Sequence, residues 1–244
     1  MNAKRRYTAS ELRASWTPEK RAADGPWTRY LLRPLAFPTA GFFLAIGWTP
    51  NAVTYLSILL CIIAFPLLVI ATPPFAYTGF ALIFLFGILD CADGTMARAR
   101  GIPNIWGEWV DALGGYIAYT VTLLGIGAAA EASSPAPAPL PTGTWVLVGG
   151  IAAAANLLMR VVYQSFRAVS PDPGKKEVGG EKKLSETIGI TGFLLPLSVV
   201  GYAFGALHWV VLAYAAVYGG GALLVIFKLV RKVEAGDQVP VDGL

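Results

Sequence analysis

The chain has 244 residues, 55% of them hydrophobic and 14% charged, with a formal net charge of +4. At a mean hydropathy of +0.58 this composition excludes an ordinary soluble domain and describes a polytopic membrane protein. The basic residues cluster in loops beside apolar spans, which an anionic membrane surface explains without invoking nucleic acid.

Residues 1–26 are polar and basic and contain no apolar h-region, so they read as a cytoplasmic segment rather than a cleavable signal peptide. Residues 27–46 carry Arg29, Arg33, Pro34 and Pro38 among aromatic residues and leucines. That mixture suits an amphipathic helix lying along the interface, with a seventh span as the alternative. Apolar stretches follow at 51–71, 76–98, 105–130, 143–167, 187–204 and 207–230, each near the ~20 residues that cross a bilayer as a helix. The predicted fold is an all-α integral membrane protein: six transmembrane helices preceded by the interfacial helix. The membrane domain covers 47–232 and a cytoplasmic tail covers 233–244, with no internal repeat and no second domain. The Pro/Ala tract at 133–141 reads as an extended exterior loop. Cys61 and Cys91 lie in or beside apolar segments and form no disulfide framework.

Loop charge orients these spans. Lys4, Arg5, Arg6, Arg98, Arg100, Lys175, Lys176, Lys182, Lys183, Lys228, Arg231 and Lys232 share one side if the spans zigzag, whereas Glu131 is the only charge in the opposite loops. The positive-inside rule then puts both termini in the cytoplasm, with the protein in the plasma (inner) membrane.

Within this topology the charges inside the spans converge. The second span ends with Asp90, Asp93 and Arg98, the third begins with Gly107 and Asp111, and the fourth ends with Arg160 and Arg167. All therefore collect near the cytoplasmic border, where ionisable groups mark a site of function. Asp90 and Asp93, three apart, share a helix face, and Gly107, Asp111 and Gly115 line one face of the next helix. Clustered carboxylates in a low dielectric call for a cation, and an all-oxygen set favours Mg2+, with Mn2+ or Ca2+ as substitutes. Such an ion commonly grips substrate phosphates. Arg98 fits a phosphate contact, while Gly94 and Gly107 would let a ligand approach the backbone; helix packing explains Gly107 equally well.

The run Asp90-x-x-Asp93-Gly94-x-x-Ala97-Arg98, then Gly107-x-x-x-Asp111 after eight residues, resembles the signature of the CDP-alcohol phosphotransferases. The approach to the first span, Thr49-Pro50-Asn51-x-x-Thr54, and the basic Arg33-Pro34-Leu35 segment are similar to that family too, and the resemblance spans roughly 27–230. It implies a six-helix membrane enzyme, often dimeric, that displaces CMP from a CDP-linked donor such as CDP-diacylglycerol with an acceptor. By position it implies Asp90, Asp93 and Asp111 as metal ligands. It also implies Gly94, Ala97, Arg98 and Gly107, with Thr54, as the border of the cytidine diphosphate. Lys182, Lys183 and Thr187 fall where the family often binds its acceptor, although a basic loop on anionic lipid would look the same.

The resemblance also implies a fourth aspartate, the general base, where this chain has Gly115. Four readings follow: Glu108 substitutes through a bridging water; the acceptor is already nucleophilic (phosphate, phosphonate, carboxylate or amine); the site binds a nucleotide-linked lipid without turnover; or the substitution inactivates the chain. Arg160 reads either as a contact for an acceptor or donor phosphate or as the ion-pair partner of a motif carboxylate. His208, the only histidine, reads as structural. Trp48, Trp106, Trp145 and Trp209 read as interface anchors, and Gly219, Gly220 and Gly221 as a close-packing surface, including one between two copies. A transporter is the remaining class, resting on hydropathy alone.

Overall fold

The computed structural model describes residues 7–101, 106–134, 140–169 and 189–236, and every element among them is helical. In order these are α1 (Ala9–Ala14), α2 (Pro18–Ala23), a π-helical turn (Thr28–Leu32), α3 (Arg33–Ala45), α4 (Pro50–Ile70), α5 (Pro73–Arg100), α6 (Gly107–Ser133), α7 (Thr144–Val169), a second π-helical turn (Ile190–Leu194), α8 (Leu195–Ala203) and α9 (Leu207–Gly236). Five are long and apolar enough to cross a membrane: α4, α5, α6, α7 and α9. The sixth apolar stretch is present as the shorter run Ile190–Ala203. Its first turn is π-helical and is broken at Gly192 by non-helical backbone (φ −111°, ψ −129°).

Local chemistry sets the helix ends. Thr49 caps α4 by accepting the Ala52 N–H at 3.1 Å, with Pro50 at the first helical position. Ala71 ends that helix in the left-handed region (φ 56°), and its carbonyl accepts the Tyr202 hydroxyl at 2.6 Å. Near the end of α6 Glu131 accepts the Gly143 and Trp145 N–H groups at 2.8 and 2.9 Å, so its carboxylate sits at the start of α7. Close helix approach depends on glycine between α6 and α7. A Cβ on Gly127 would stand 2.7 Å from the Trp145 carbonyl oxygen, and one on Gly149 would stand 2.7 Å from that of Leu123. Small residues at such crossings bring backbones into direct contact.

Buried apolar side chains form two groups. The larger lies inside the bundle and includes Leu68, Phe80, Ile83, Leu123, Ile126, Tyr214 and Tyr218. The second joins Leu12 of α1 and Leu32, Ala36 and Ala40 to Ile88, Leu89 and Met96 of α5. Within residues 7–24, α1 packs Leu12 against α3 and the end of α5 that carries the charges, and α2 leads on from it to Asp24. Leu59, Ile62, Leu223, Leu224 and Phe227 face outward, as expected where the surrounding solvent is hydrocarbon rather than water.

Two expectations need correction. Trp145 is buried rather than an interface anchor, and it packs against His208 with ring centroids 5.3 Å apart. Within the chain, Gly219 and Gly220 face open space, and of the triplet only Gly221 has a neighbour, the Met159 sulfur, at the Cβ position.

Candidate functional site

The fold brings the start of α4, the end of α5, the start of α6 and the end of α7 to one end of the bundle. Thr54, one turn into α4, donates its hydroxyl to Asp93 Oδ2 at 2.6 Å. Thr54 Oγ1 also lies 3.2 Å from the Pro50 carbonyl, but its single proton belongs to the shorter, charge-assisted bond. Asp93 is buried, Asp90 half-buried and Asp111 exposed, and the three repel one another. Among the described residues, neither Asp90 nor Asp111 has a hydrogen bond or ion pair.

The donor set suits a hard divalent cation: it is all carboxylate oxygen, negative, accessible at Asp90 and Asp111, and oriented by a hydroxyl at Asp93. Among the described residues, however, no three acidic, histidine or cysteine side chains converge tightly enough to hold an ion. The three carboxylates thus lie on two helices, α5 and α6, that stand apart, and a cation held by all three would have to draw them together.

Arg98 folds back along its own helix. Its Nη1 lies 3.2 Å from where a Cβ on Gly94 would be, and its Nε donates to the Ser15 carbonyl at 3.0 Å. Gly94 therefore makes room for Arg98, where a ligand had been expected. Ala97 lies half-buried beside it, and Gly107 opens α6 with exposed Glu108 next to it, one turn before Asp111. Lys182, Lys183 and Thr187 lie outside the described residues.

The N-terminal helices contribute residues that sequence reasoning missed. Asp24 and Arg33 form a buried pair, Nε to Oδ2 at 2.8 Å and Nη2 to Oδ1 at 3.3 Å, joined by the Trp16 Nε1 bond at 2.8 Å. Arg33 Nη1 also donates to the Cys91 carbonyl at 3.0 Å, which ties the pair to the turn between Asp90 and Asp93. Burial works to raise the Asp24 carboxyl, but the Arg33 bond and charge, with Lys20, outweigh it and hold the group below its ordinary value. Lys20, 3.3 Å from Asp24, also acts electrostatically on Asp90 and Asp111. Beforehand Arg33 was marked only as part of the basic Arg33-Pro34-Leu35 segment, and Asp24 was one of three acids before the first span, with nothing to pair the two.

Arg160 comes from α7. Its Nε donates to Asn156 Oδ1 at 3.1 Å, and its guanidinium carbon stands 4.3 Å from the Tyr119 ring centroid. Tyr119 sits one turn beyond Gly115, and its hydroxyl accepts the Ile190 N–H at 3.0 Å. A Cβ on Gly115 would lie 3.3 Å from Arg160 Nη1. No ion pair joins Arg160 to a carboxylate among the described residues, although it acts electrostatically on Asp90 and Asp111. Asn156, a buried amide in an apolar span, was the overlooked signal for this arrangement.

A family model described as CDP-alcohol phosphatidyltransferase matches residues 47–219. No curated protein matches the chain.

Proposed function

The chain belongs to the CDP-alcohol phosphatidyltransferase family, and from that premise we propose that it transfers a phosphoryl-linked group from a CDP-linked donor to an acceptor with release of CMP. With CDP-diacylglycerol as donor, the transferred group is phosphatidyl. Supporting this most directly is the pair of unneutralised carboxylates, Asp90 and Asp111, beside an Asp93 already oriented by Thr54.

In this reading Asp90, Asp93 and Asp111 hold Mg2+, with Mn2+ and Ca2+ able to occupy the same oxygens. When bound, the ion polarises the donor's diphosphate and neutralises charge on the leaving CMP. The protein's own residues do the rest. Thr54 keeps one Asp93 oxygen turned toward α4 and the other toward the site. Gly94, Ala97, Arg98 and Gly107 border the cytidine diphosphate, and Arg98 exchanges the neutral Ser15 carbonyl for an anionic donor phosphate, which its planar guanidinium can engage through two parallel N–H groups. Lys20 adds positive charge at the mouth. The site opens to the cytoplasm, and anionic lipid meets the basic pocket lined by Arg13, Arg21 and Arg29 beside Trp16. The functional unit is a homodimer. Lys182 and Lys183 belong to the acceptor side, and Glu108 stands as the substitute base where the acceptor is a neutral alcohol.

A second reading has its own observation. The neighbour of Gly115 is a guanidinium, which is permanently protonated and cannot accept a proton. A site so built could hold a CDP-linked lipid without turning it over. A CMP-release assay separates the two, using purified protein, Mg2+, CDP-diacylglycerol and a panel of acceptors. CMP released with any acceptor supports transfer; CDP binding with no CMP from any acceptor leaves the silent binder. Asp93→Asn should weaken both metal and CDP binding at least tenfold, and unchanged binding would remove the metal assignment.

A further inference from the structure

Arg160 is a half-buried guanidinium on a membrane-crossing helix, where a positive charge is costly; Asp90 and Asp111 lie within its electrostatic reach, but among the described residues no carboxylate touches it. Its contacts hold it in place without neutralising it. Asn156, which is 1% exposed, takes the Nε proton, and the Tyr119 ring, itself tethered by the Ile190 N–H, supports the flat face. Nothing among the described residues accepts from Nη1 or Nη2. Beyond its own helix, a side chain at position 115 would meet Arg160 Nη1 and no other described atom within 4 Å. Glycine at 115 therefore makes room for the guanidinium, whose free edge lies on the helix face that also carries Asp111.

We propose that Arg160, in the space left by Gly115, binds the acceptor, and that the acceptor's nucleophile is a phosphate- or phosphonate-type oxyanion. This inference rests on the transfer reading above. A planar guanidinium presents two parallel N–H groups that match such an oxyanion. It also repels an ammonium and offers nothing to deprotonate a neutral alcohol. An oxyanion needs no base: its oxygen lone pair attacks the donor phosphorus that carries the alcohol and forms a new P–O bond. The P–O bond to CMP breaks, its electron pair leaves on the CMP phosphate oxygen, and no proton moves. One phosphoric anhydride replaces another, so with inorganic phosphate and a CDP-alcohol the products are the alcohol diphosphate and CMP. A carboxylate at 115 would instead pair with Arg160 and close the space.

The test uses the full-length protein in phosphatidylcholine nanodiscs with Mg2+. Inorganic phosphate is titrated against thermal unfolding, and CDP binding is measured separately. Wild type should be stabilised saturably by phosphate. Arg160→Gln should weaken phosphate at least tenfold with CDP affinity unchanged within twofold. Gly115→Asp, which leaves the arginine in place, should do the same. A parallel arm replaces soluble phosphate with nanodiscs containing phosphatidic acid. Protection there that depends on Arg160, without protection by inorganic phosphate, assigns the oxyanion to a lipid headgroup and supports the site. Equal phosphate affinity in wild type and both variants overturns the proposal, as does CMP release with glycerol but not with phosphate or phosphatidic acid. Loss of CDP binding in wild type with phosphate binding intact would refute the transfer reading and leave the arginine site standing.

Discussion

The Thr54 hydroxyl allows the metal assignment to be tested without touching a metal ligand. Thr54→Val keeps the methyl group that packs 3.4 Å from the Cβ position of Gly114 but removes the proton donated to Asp93 at 2.6 Å. A hydrogen bond to a charged group contributes ~1.5–3 kcal/mol, and at about 1.4 kcal/mol per decade its loss predicts weaker divalent binding by roughly one to two orders of magnitude. Removal of partners that orient metal ligands costs a similar ~10–100-fold. The assay is Mn2+ titration by electron paramagnetic resonance with saturating CDP, repeated with Mg2+ as competitor. Thr54→Ser retains the hydroxyl and should stay within a few-fold of wild type despite losing the methyl. If Thr54→Val binds Mn2+ as wild type does, Asp93 is not a ligand whose geometry matters, and the three-carboxylate site is refuted.

Asp24→Ala should release α1 and α2 from the end of α5, because it strands Arg33 in a buried position. Breaking such a pair costs ~3–5 kcal/mol, and hydrogen exchange across residues 9–23 should rise accordingly; unchanged protection would show that the pair does not hold these helices. The same contact predicts a pH dependence. The Asp24 carboxyl lies below its ordinary value in the folded chain, so its contribution is fully present above about pH 4 and is lost as pH falls through the lowered value. Exchange at 9–23 should be flat from pH 8 to 5, after correction for intrinsic rates, and a loss of protection near neutrality would contradict this. Glu108→Gln should lower turnover ~10²–10⁴-fold with CDP affinity intact if Glu108 is the base, whereas equal turnover of mutant and wild type removes it from the mechanism.

The long spans were legible because an unbroken apolar run of sufficient length has one structural outcome in a bilayer. The stretch at 187–204 met the same apolar criterion, yet among the described residues its helical part is the shorter run Ile190–Ala203. Gly189, Gly192 and Pro196 interrupt the first turns, and hydropathy does not register broken backbone. Asp90, Asp93 and Asp111 were readable from spacing, and their convergence followed from antiparallel spans. Their failure to form a closed shell did not, since that depends on how far apart α5 and α6 stand. The helices at 9–23 did leave local marks: Thr8 and Glu11 form a capping box, and Thr17-Pro18 opens α2. What polarity concealed was docking, which needs the long-range pair between Asp24 and Arg33. The meeting of Arg160 with Gly115 was least accessible of all. Arg160 was marked as a charge and Gly115 as a substitution, but their relation is set by the crossing of α6 and α7, where Gly127 and Gly149 touch far along the helices from the site.

The way the cations are partnered separates architecture from chemistry at this end of the bundle. Arg33 has a buried carboxylate, Arg98 a backbone carbonyl, and Arg160 an amide and an aromatic face. Of these three, Arg33 alone pairs with a carboxylate among the described residues, and it is the one that joins the N-terminal helices to α5. Asp90 and Asp111 lie within electrostatic reach of Arg160, which relieves them, yet none of the three is drawn into an ion pair among the described residues. The gap they keep is negative on the α5 side and positive on the α7 side. A metal-bound diphosphate entering from the carboxylate side and an oxyanion entering against Arg160 would satisfy both, leaving the transfer to occur in the space above Gly115.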